Sequence, residues 1–176
     1  MTTLQAWHDF FILTGTAAAT LLGLVFVAAS IAAAIPNEKL GNAGAEDVSG
    51  SLWVVPIVYA FLRVLIVSAV GVIPGQSWHS FGVVLSLLAL FDLGRIVRVT
   101  AQARQFHRSR EKLTLGDWGW YVVYPSGASL LLAAMGLSLA MGWALPLAAL
   151  PIGMLVHLVV GVHNAWELAA WLATRQ

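Results

Sequence analysis

The chain contains no cysteine, and only 10% of its 176 residues are charged. Without cysteine, disulfides, thiolate metal sites, iron–sulfur clusters and cysteine nucleophiles are excluded, and composition says nothing of the redox compartment. Soluble domains carry about a quarter charged residues. The shortage excludes an ordinary hydrated surface, while a hydrophobic content of 60% excludes the disorder that low charge alone would leave open. No phosphate-binding Walker loop, His-Glu-x-x-His, Gly-x-Ser-x-Gly, dinucleotide fingerprint or aspartate-rich phosphotransfer motif appears, so an enzymatic activity has no positive support. The alternating ~10-residue segments of a membrane β-barrel are missing as well.

What is present is apolar length. Mean hydropathy is +0.85, and five long apolar runs stand at about 10–35, 52–73, 81–100, 118–140 and 145–166. A helix rises about 1.5 Å per residue, so about 20 apolar residues cross a hydrocarbon core. Backbone amides in lipid must be satisfied within the segment, which makes these runs helices. The expectation is one all-α transmembrane domain over residues 1–176 with five spans. The breaks carry turn chemistry at Pro36-Asn37, Pro74-Gly75, Gly116-Asp117 and Gly142 before Pro146. No basic residue precedes the first run, and it is too long for a signal h-region, so it reads as a retained span.

Orientation follows the cations. Arg104, Arg108, Arg110 and Lys112 occupy the connection at about 101–117, Lys39 lies in the first connection and Arg175 in the tail, whereas the leader and the Pro74 and Gly142 turns have none. Five spans place these groups on opposite sides, which predicts an external N-terminus and a cytoplasmic C-terminus in a bacterial-type inner membrane. Trp7, Trp53, Trp78, Trp118, Trp120, Trp143, Trp166 and Trp171 fall at or beyond the expected helix ends, where indole prefers the headgroup layer. The basic run against the bilayer suits anionic headgroups, at about 1 kcal/mol per cation, and does not suit nucleic acid, being short and membrane-bound.

Arg63, Asp92 and His157 each lie near the middle of a span, so all three reach the bilayer midplane and need protein partners. Arg63 with Asp92 is the natural pair. Arg95, one turn beyond Asp92, competes for the same carboxylate. One reading makes Asp92 the exchanging group of an ion or proton path, with Arg63 holding it ionised and His157 relaying; the other makes the pair a structural clamp. His163 and Glu167, four residues apart, extend the polar residues toward the cytoplasm with Asn164 beside them. Pro56 and Pro125 fall in opening turns, while Pro151 is expected to kink the fifth span above His157.

In the first span Gly15, Ala19 and Gly23 form a small stripe, and Thr16 and Thr20 sit on a neighbouring face. Such a stripe permits close helix contact, either within the bundle or between copies around a pore. His8, Asp9 and His79 share the outer level and could hold a divalent ion or a b-type haem. Size, span number and tryptophan content resemble the translocator protein family of tryptophan-rich sensors, but the Trp-x-Pro-Pro loop motif is missing, so the likeness ends at composition. The segment from Gly15 to Val27 is similar to the first span of uncharacterised bacterial membrane proteins, which implies no function. The functional expectation is a homo-oligomeric ion channel or small transporter without a resident cofactor. A haem-binding redox subunit and a non-conducting accessory subunit are the alternatives.

Overall fold

The computed structural model describes residues 4–33, 54–109, 115–143 and 148–173. Among them all regular structure is helical. A 3-10 turn, Leu4–Trp7, leads into α1 (His8–Ala33); α2 (Val54–Gly71) and α3 (Trp78–Ser109) follow. The short α4 (Leu115–Trp118) runs through a π segment, Gly119–Val123, into α5 (Tyr124–Ala140), and α6 (Ala149–Ala173) closes the chain. Lys39, Trp53, Arg110, Lys112 and Arg175 lie outside the described residues; Arg104 and Arg108 are on the helical backbone of α3.

Four segments are long and apolar enough to cross a membrane: Leu4–Ile31, Val54–Gly71, Gly119–Ala140 and Ala149–Ala170. The expected fifth differs. In α3 only Trp78–Asp92 is apolar, about 20 Å of helix against a hydrocarbon core of about 30 Å. Asp92, Arg95 and Arg98 interrupt the run there, while the helix itself continues to Ser109. The count of five apolar spans is thereby corrected to four plus one shorter apolar helix.

Pro151 departs from expectation. α6 begins at Ala149, so Pro151 sits in its first turn, where a missing N–H costs little, and no kink is required above His157. Pro125 is in the first turn of α5, as expected, but helical backbone already runs from Leu115 ahead of it. Its ring would press on the Tyr121 carbonyl four residues back, and it has no N–H to donate there. The chain widens instead, and the Tyr124 N–H donates to the Gly119 carbonyl five residues back. That insertion turns Trp120 and Tyr121 to face α6.

Two ends are capped by side-chain and glycine chemistry. Ser77 Oγ accepts from the Ser80 N–H at 3.1 Å, and Ser80 Oγ accepts from the Ser77 N–H at 3.2 Å, which satisfies the start of α3. At the end of α5, Gly142 takes φ 72°, the Trp143 N–H donates to Ser138 O at 2.8 Å and the Gly142 N–H to Leu139 O at 3.2 Å.

The principal helix contacts run α1–α2, α2–α6, α6–α5 and α5–α3, while the α2–α3 seam is thin. Glycines set the close approaches. Gly15 of α1 backs onto Ser68 of α2, Gly161 of α6 onto Phe61 of α2, and Gly82 of α3 onto Gly136 and Ala140 of α5. The interior is divided along its length. Toward the Trp7, Trp78 and Trp143 end, Phe11, Phe81, Leu132, Met135, Leu150 and Met154 fill it, with the buried hydroxyls of Thr14 and Ser68 paired to each other at 2.9 Å and that of Ser138 donating to the Trp143 carbonyl. Toward the other end a smaller apolar cluster of Val25, Ile57 and Phe61 stands beside buried polar and charged side chains.

Candidate functional site

The polar and charged groups of that end begin at the thin α2–α3 seam. Arg63 is the tenth residue of α2, on a face whose neighbours Ala60, Phe61, Val64 and Val67 are all buried. It cannot turn outward without exposing that face. Its guanidinium pairs with Asp92 of α3 and donates to the Leu88 carbonyl at 3.2 Å. The Arg95 Nε lies 3.5 Å from the other oxygen of Asp92, and its guanidinium rests over the Tyr59 ring at 5.4 Å. Two guanidiniums therefore share one carboxylate, and the cluster carries an excess positive charge. Asp92 is only 2% exposed, so its charge is held by protein rather than by water.

His157 of α6 is 1% exposed. One ring nitrogen, Nδ1, lies 2.8 Å from the Gly153 carbonyl, which can only accept, so Nδ1 carries the proton. Nε2 is then the acceptor for the Ser129 hydroxyl of α5, at 3.3 Å. Ser129 and Asp92 line the same crevice of about 260 Å³ between α3 and α5. The imidazole therefore bonds Ser129, which shares a crevice with Asp92.

Further along α6, His163 Nε2 lies 3.0 Å from Glu167 Oε1, and the Tyr121 hydroxyl donates to Glu167 Oε2 at 2.5 Å. Trp120 stacks on His163 with centroids 3.8 Å apart and planes 22° from parallel. Between this group and the ion pair stands Asn164, 2% exposed, whose Oδ1 has no hydrogen-bond partner among the described residues. A second, small cavity is lined by Arg95, Tyr121, His157 and Asn164.

The structure thus brings Arg63, Asp92, Arg95 and His157 into one region and His163 with Glu167 into an adjoining one. Ser129, Tyr59 and Tyr121 join them without having been singled out from the sequence, and Trp120, expected at a helix end in the headgroup layer, stacks on His163. Neutral residues give no charge signal, and the placement of Trp120 and Tyr121 follows from the π segment, whose only advance sign is Pro125.

The first-span residues divide. A Cβ on Gly15 would lie 2.9 Å from Ser68 Cβ, so that position serves intramolecular packing. Thr16, Ala19, Thr20 and Gly23 are exposed on the outer face of α1, and Thr20 Oγ1 donates to the Thr16 carbonyl at 2.9 Å. At the helix starts of α1 and α3 stand His8, Asp9 and His79, with His79 and Asp9 exposed. The space between those helices holds rings: Phe11 on Phe81 at 5.5 Å and Trp78 on Phe81 at 6.1 Å. Among the described residues no group of three histidine or acidic side chains gathers to hold a metal.

Compared with known proteins, the chain matches no family model, no curated protein and no solved structure.

Proposed function

We propose that the chain is a small multi-pass protein of a bacterial-type inner membrane that moves an ion, as a channel or small transporter. One observation carries the reading. Among helices four of which are apolar enough to span lipid, polar side chains lie from buried Ser129, His157 and Asp92, past partly buried Arg95, to buried Asn164 and to Glu167, whose side chain is 40% exposed. From His157 to Glu167 that is about 15 Å along α6 at 1.5 Å per residue, half a hydrocarbon core. A clamp between α2 and α3 needs the ion pair alone, whereas the polar groups continue along α6. The apolar half of the interior would then be the barrier. Lys and Arg placement supports an external N-terminus and a cytoplasmic C-terminus, so the polar half opens inward.

Flux into proteoliposomes tests this. Wild type should carry current or dye-reported ion movement above protein-free vesicles, and Asp92→Asn, which keeps shape but removes the charge, should lower it at least tenfold. Equal flux in protein-free, wild-type and variant vesicles would end the reading.

The exposed Thr16, Ala19, Thr20 and Gly23 face supports assembly of copies through α1, because small residues let helices approach in lipid. Nothing within 4 Å would meet a Cβ on Gly23. Gly23→Leu should therefore leave the monomer folded and shift crosslinked or mass-resolved oligomers to monomer; an unchanged distribution would place the contact elsewhere.

A further inference from the structure

α3 and α5 press together at Gly82 and Gly136. Further along the pair, Ala89 and Ala133 leave a crevice of about 260 Å³ that larger side chains would close. Its rim is apolar, with Leu90, Leu130 and Leu137 all exposed. Its polar groups are Ser86, Ser129 and Asp92, and their hydrogens are committed elsewhere. Ser86 Oγ donates to the Gly82 carbonyl at 2.8 Å. Ser129 Oγ, 3.3 Å from His157 Nε2, gives its hydrogen to that nitrogen, because Nδ1 holds the ring proton at the Gly153 carbonyl. Asp92, ionised between two guanidiniums, has no hydrogen to give. All three keep acceptor capacity, since a hydroxyl oxygen that donates still accepts and a carboxylate accepts from several donors at once. Among the described residues lining the crevice, the side chains therefore offer acceptors and no polar hydrogen.

We propose that this crevice binds a small, uncharged lipophilic molecule that carries a hydroxyl group, the hydroxyl donating to the oxygens of Ser129 and Asp92 and the apolar body lying against Leu90, Leu130 and Ala133. Apolar walls with a few placed polar groups are the usual make-up of a small-molecule site. A dry cavity of about 150 Å³ accepts a benzene ring, so about 260 Å³ has room for a ring with a short chain. The acceptor-only floor selects the head group. An anion brings acceptors to acceptors, and neither Arg63 nor Arg95 lines the crevice to receive it. A cation loses its hydration against apolar walls and meets the excess positive charge of the two guanidiniums that hold Asp92. An ether or a hydrocarbon has no hydrogen to donate and leaves the oxygens unmet. A phenol or an alcohol supplies that hydrogen without charge. Lipid tails can cover the gap, but they cannot satisfy its floor. The assignment does not depend on ion movement through the chain.

The test uses the full chain in nanodiscs with a diazirine-bearing para-butylphenol as photolabel. Irradiation should mark α3 and α5 around Ala89 and Ala133. Unlabelled para-butylphenol should protect these segments at a membrane concentration about tenfold lower than its methyl ether requires, since the ether keeps the size and loses the donor. Butylbenzene and para-butylbenzylammonium should protect no better than the ether. Equal protection by phenol, ether and butylbenzene overturns the hydroxyl assignment and leaves an apolar gap that lipid tails fill. Protection by the ammonium at the phenol's concentration overturns the requirement for a neutral ligand. Ala133→Phe, which fills the crevice, should abolish the label at both helices, and undiminished label there in a folded variant overturns the site. Wild-type chain that takes no label at α3 or α5 overturns it as well. Label that disappears as the protein-to-lipid ratio rises gives the crevice to a second copy and overturns the small-molecule ligand. Photolabelling reads no flux, so failure of this site and failure of the transport reading are seen separately.

Discussion

Asp92→Leu should lower the unfolding free energy of the bundle by about 3–5 kcal/mol, the cost of leaving a buried partner charge unmatched. Here two guanidiniums lose their carboxylate at once. Arg63 is 7% exposed on its side chain and Arg95 16%, so neither reaches water without moving its helix. The seam makes the effect larger than at a well-packed contact. α2 and α3 touch little; besides the ion pair they meet at the Arg63 bond to the Leu88 carbonyl, the Arg95 contact with Tyr59 and a tilted Tyr59–Phe91 pair at 6.2 Å, and both send side chains into the apolar cluster. The measurement is reversible unfolding in bicelles by steric trapping or SDS titration. The double variant Arg63→Met with Asp92→Leu removes both charges, and replacing a buried pair by apolar groups is often neutral or stabilising. It should therefore regain most of the loss, and it should be inactive in flux assays. Recovery of stability without recovery of flux would separate the clamp from the path. A single-variant loss below about 1 kcal/mol would mean that the pair is hydrated and the seam held by other contacts.

The core of this arrangement could be read from depth alone. Counting residues along each apolar run places Arg63, Asp92 and His157 at one level, because helical rise is constant and lipid leaves buried charges few alternatives to pairing. The i,i+3 and i,i+4 relations of Asp92 with Arg95 and of His163 with Glu167 follow from helix geometry in the same way. What depth cannot supply is azimuth. Ser129 meets His157, and the Tyr121 hydroxyl meets Glu167, because of how α5 is rotated against α6, and that rotation is altered by the π segment. Periodicity analysis assumes 3.6 residues per turn and misassigns every face downstream of an inserted residue. α3 differs for another reason. Its charges at Asp92, Arg95 and Arg98 shorten the apolar run without ending the helix, since hydropathy and helicity are separate properties.

Gly136→Leu should be the most damaging change at an uncharged position. A Cβ at Gly136 would stand 2.7 Å from Leu85 Cβ and 2.8 Å from the Ser86 backbone nitrogen. The reciprocal position, Gly82, would meet the Ala140 nitrogen at 2.5 Å and the Gly136 carbonyl at 2.8 Å. The obstructing atoms are mostly backbone, so no rotamer change relieves them, and α3 must move bodily away from α5. Overpacking a close contact costs about 1–3 kcal/mol. Separation also forfeits dispersion contacts along the most extensive helix pairing in the bundle. Gly136→Leu should therefore lose about 3 kcal/mol, and Gly136→Ala a smaller amount of the same sign. Gly127, on the same helix, has nothing within 4 Å of its Cβ position. Gly127→Ala should instead be neutral or gain up to about 1 kcal/mol from helix propensity. Opposite signs for two glycine-to-alanine changes nine residues apart would locate the α3–α5 contact at the Gly136 level. The same displacement carries Asp92 on α3 away from Ser129 on α5, which share one crevice. A Gly136→Ala protein that remains folded should lose ion flux in proportion to the misalignment, while Gly127→Ala keeps it. Flux that survives Gly136→Ala unchanged would show that α3 and α5 can slide without disturbing the route, and would confine the working groups to α2, α3 and α6.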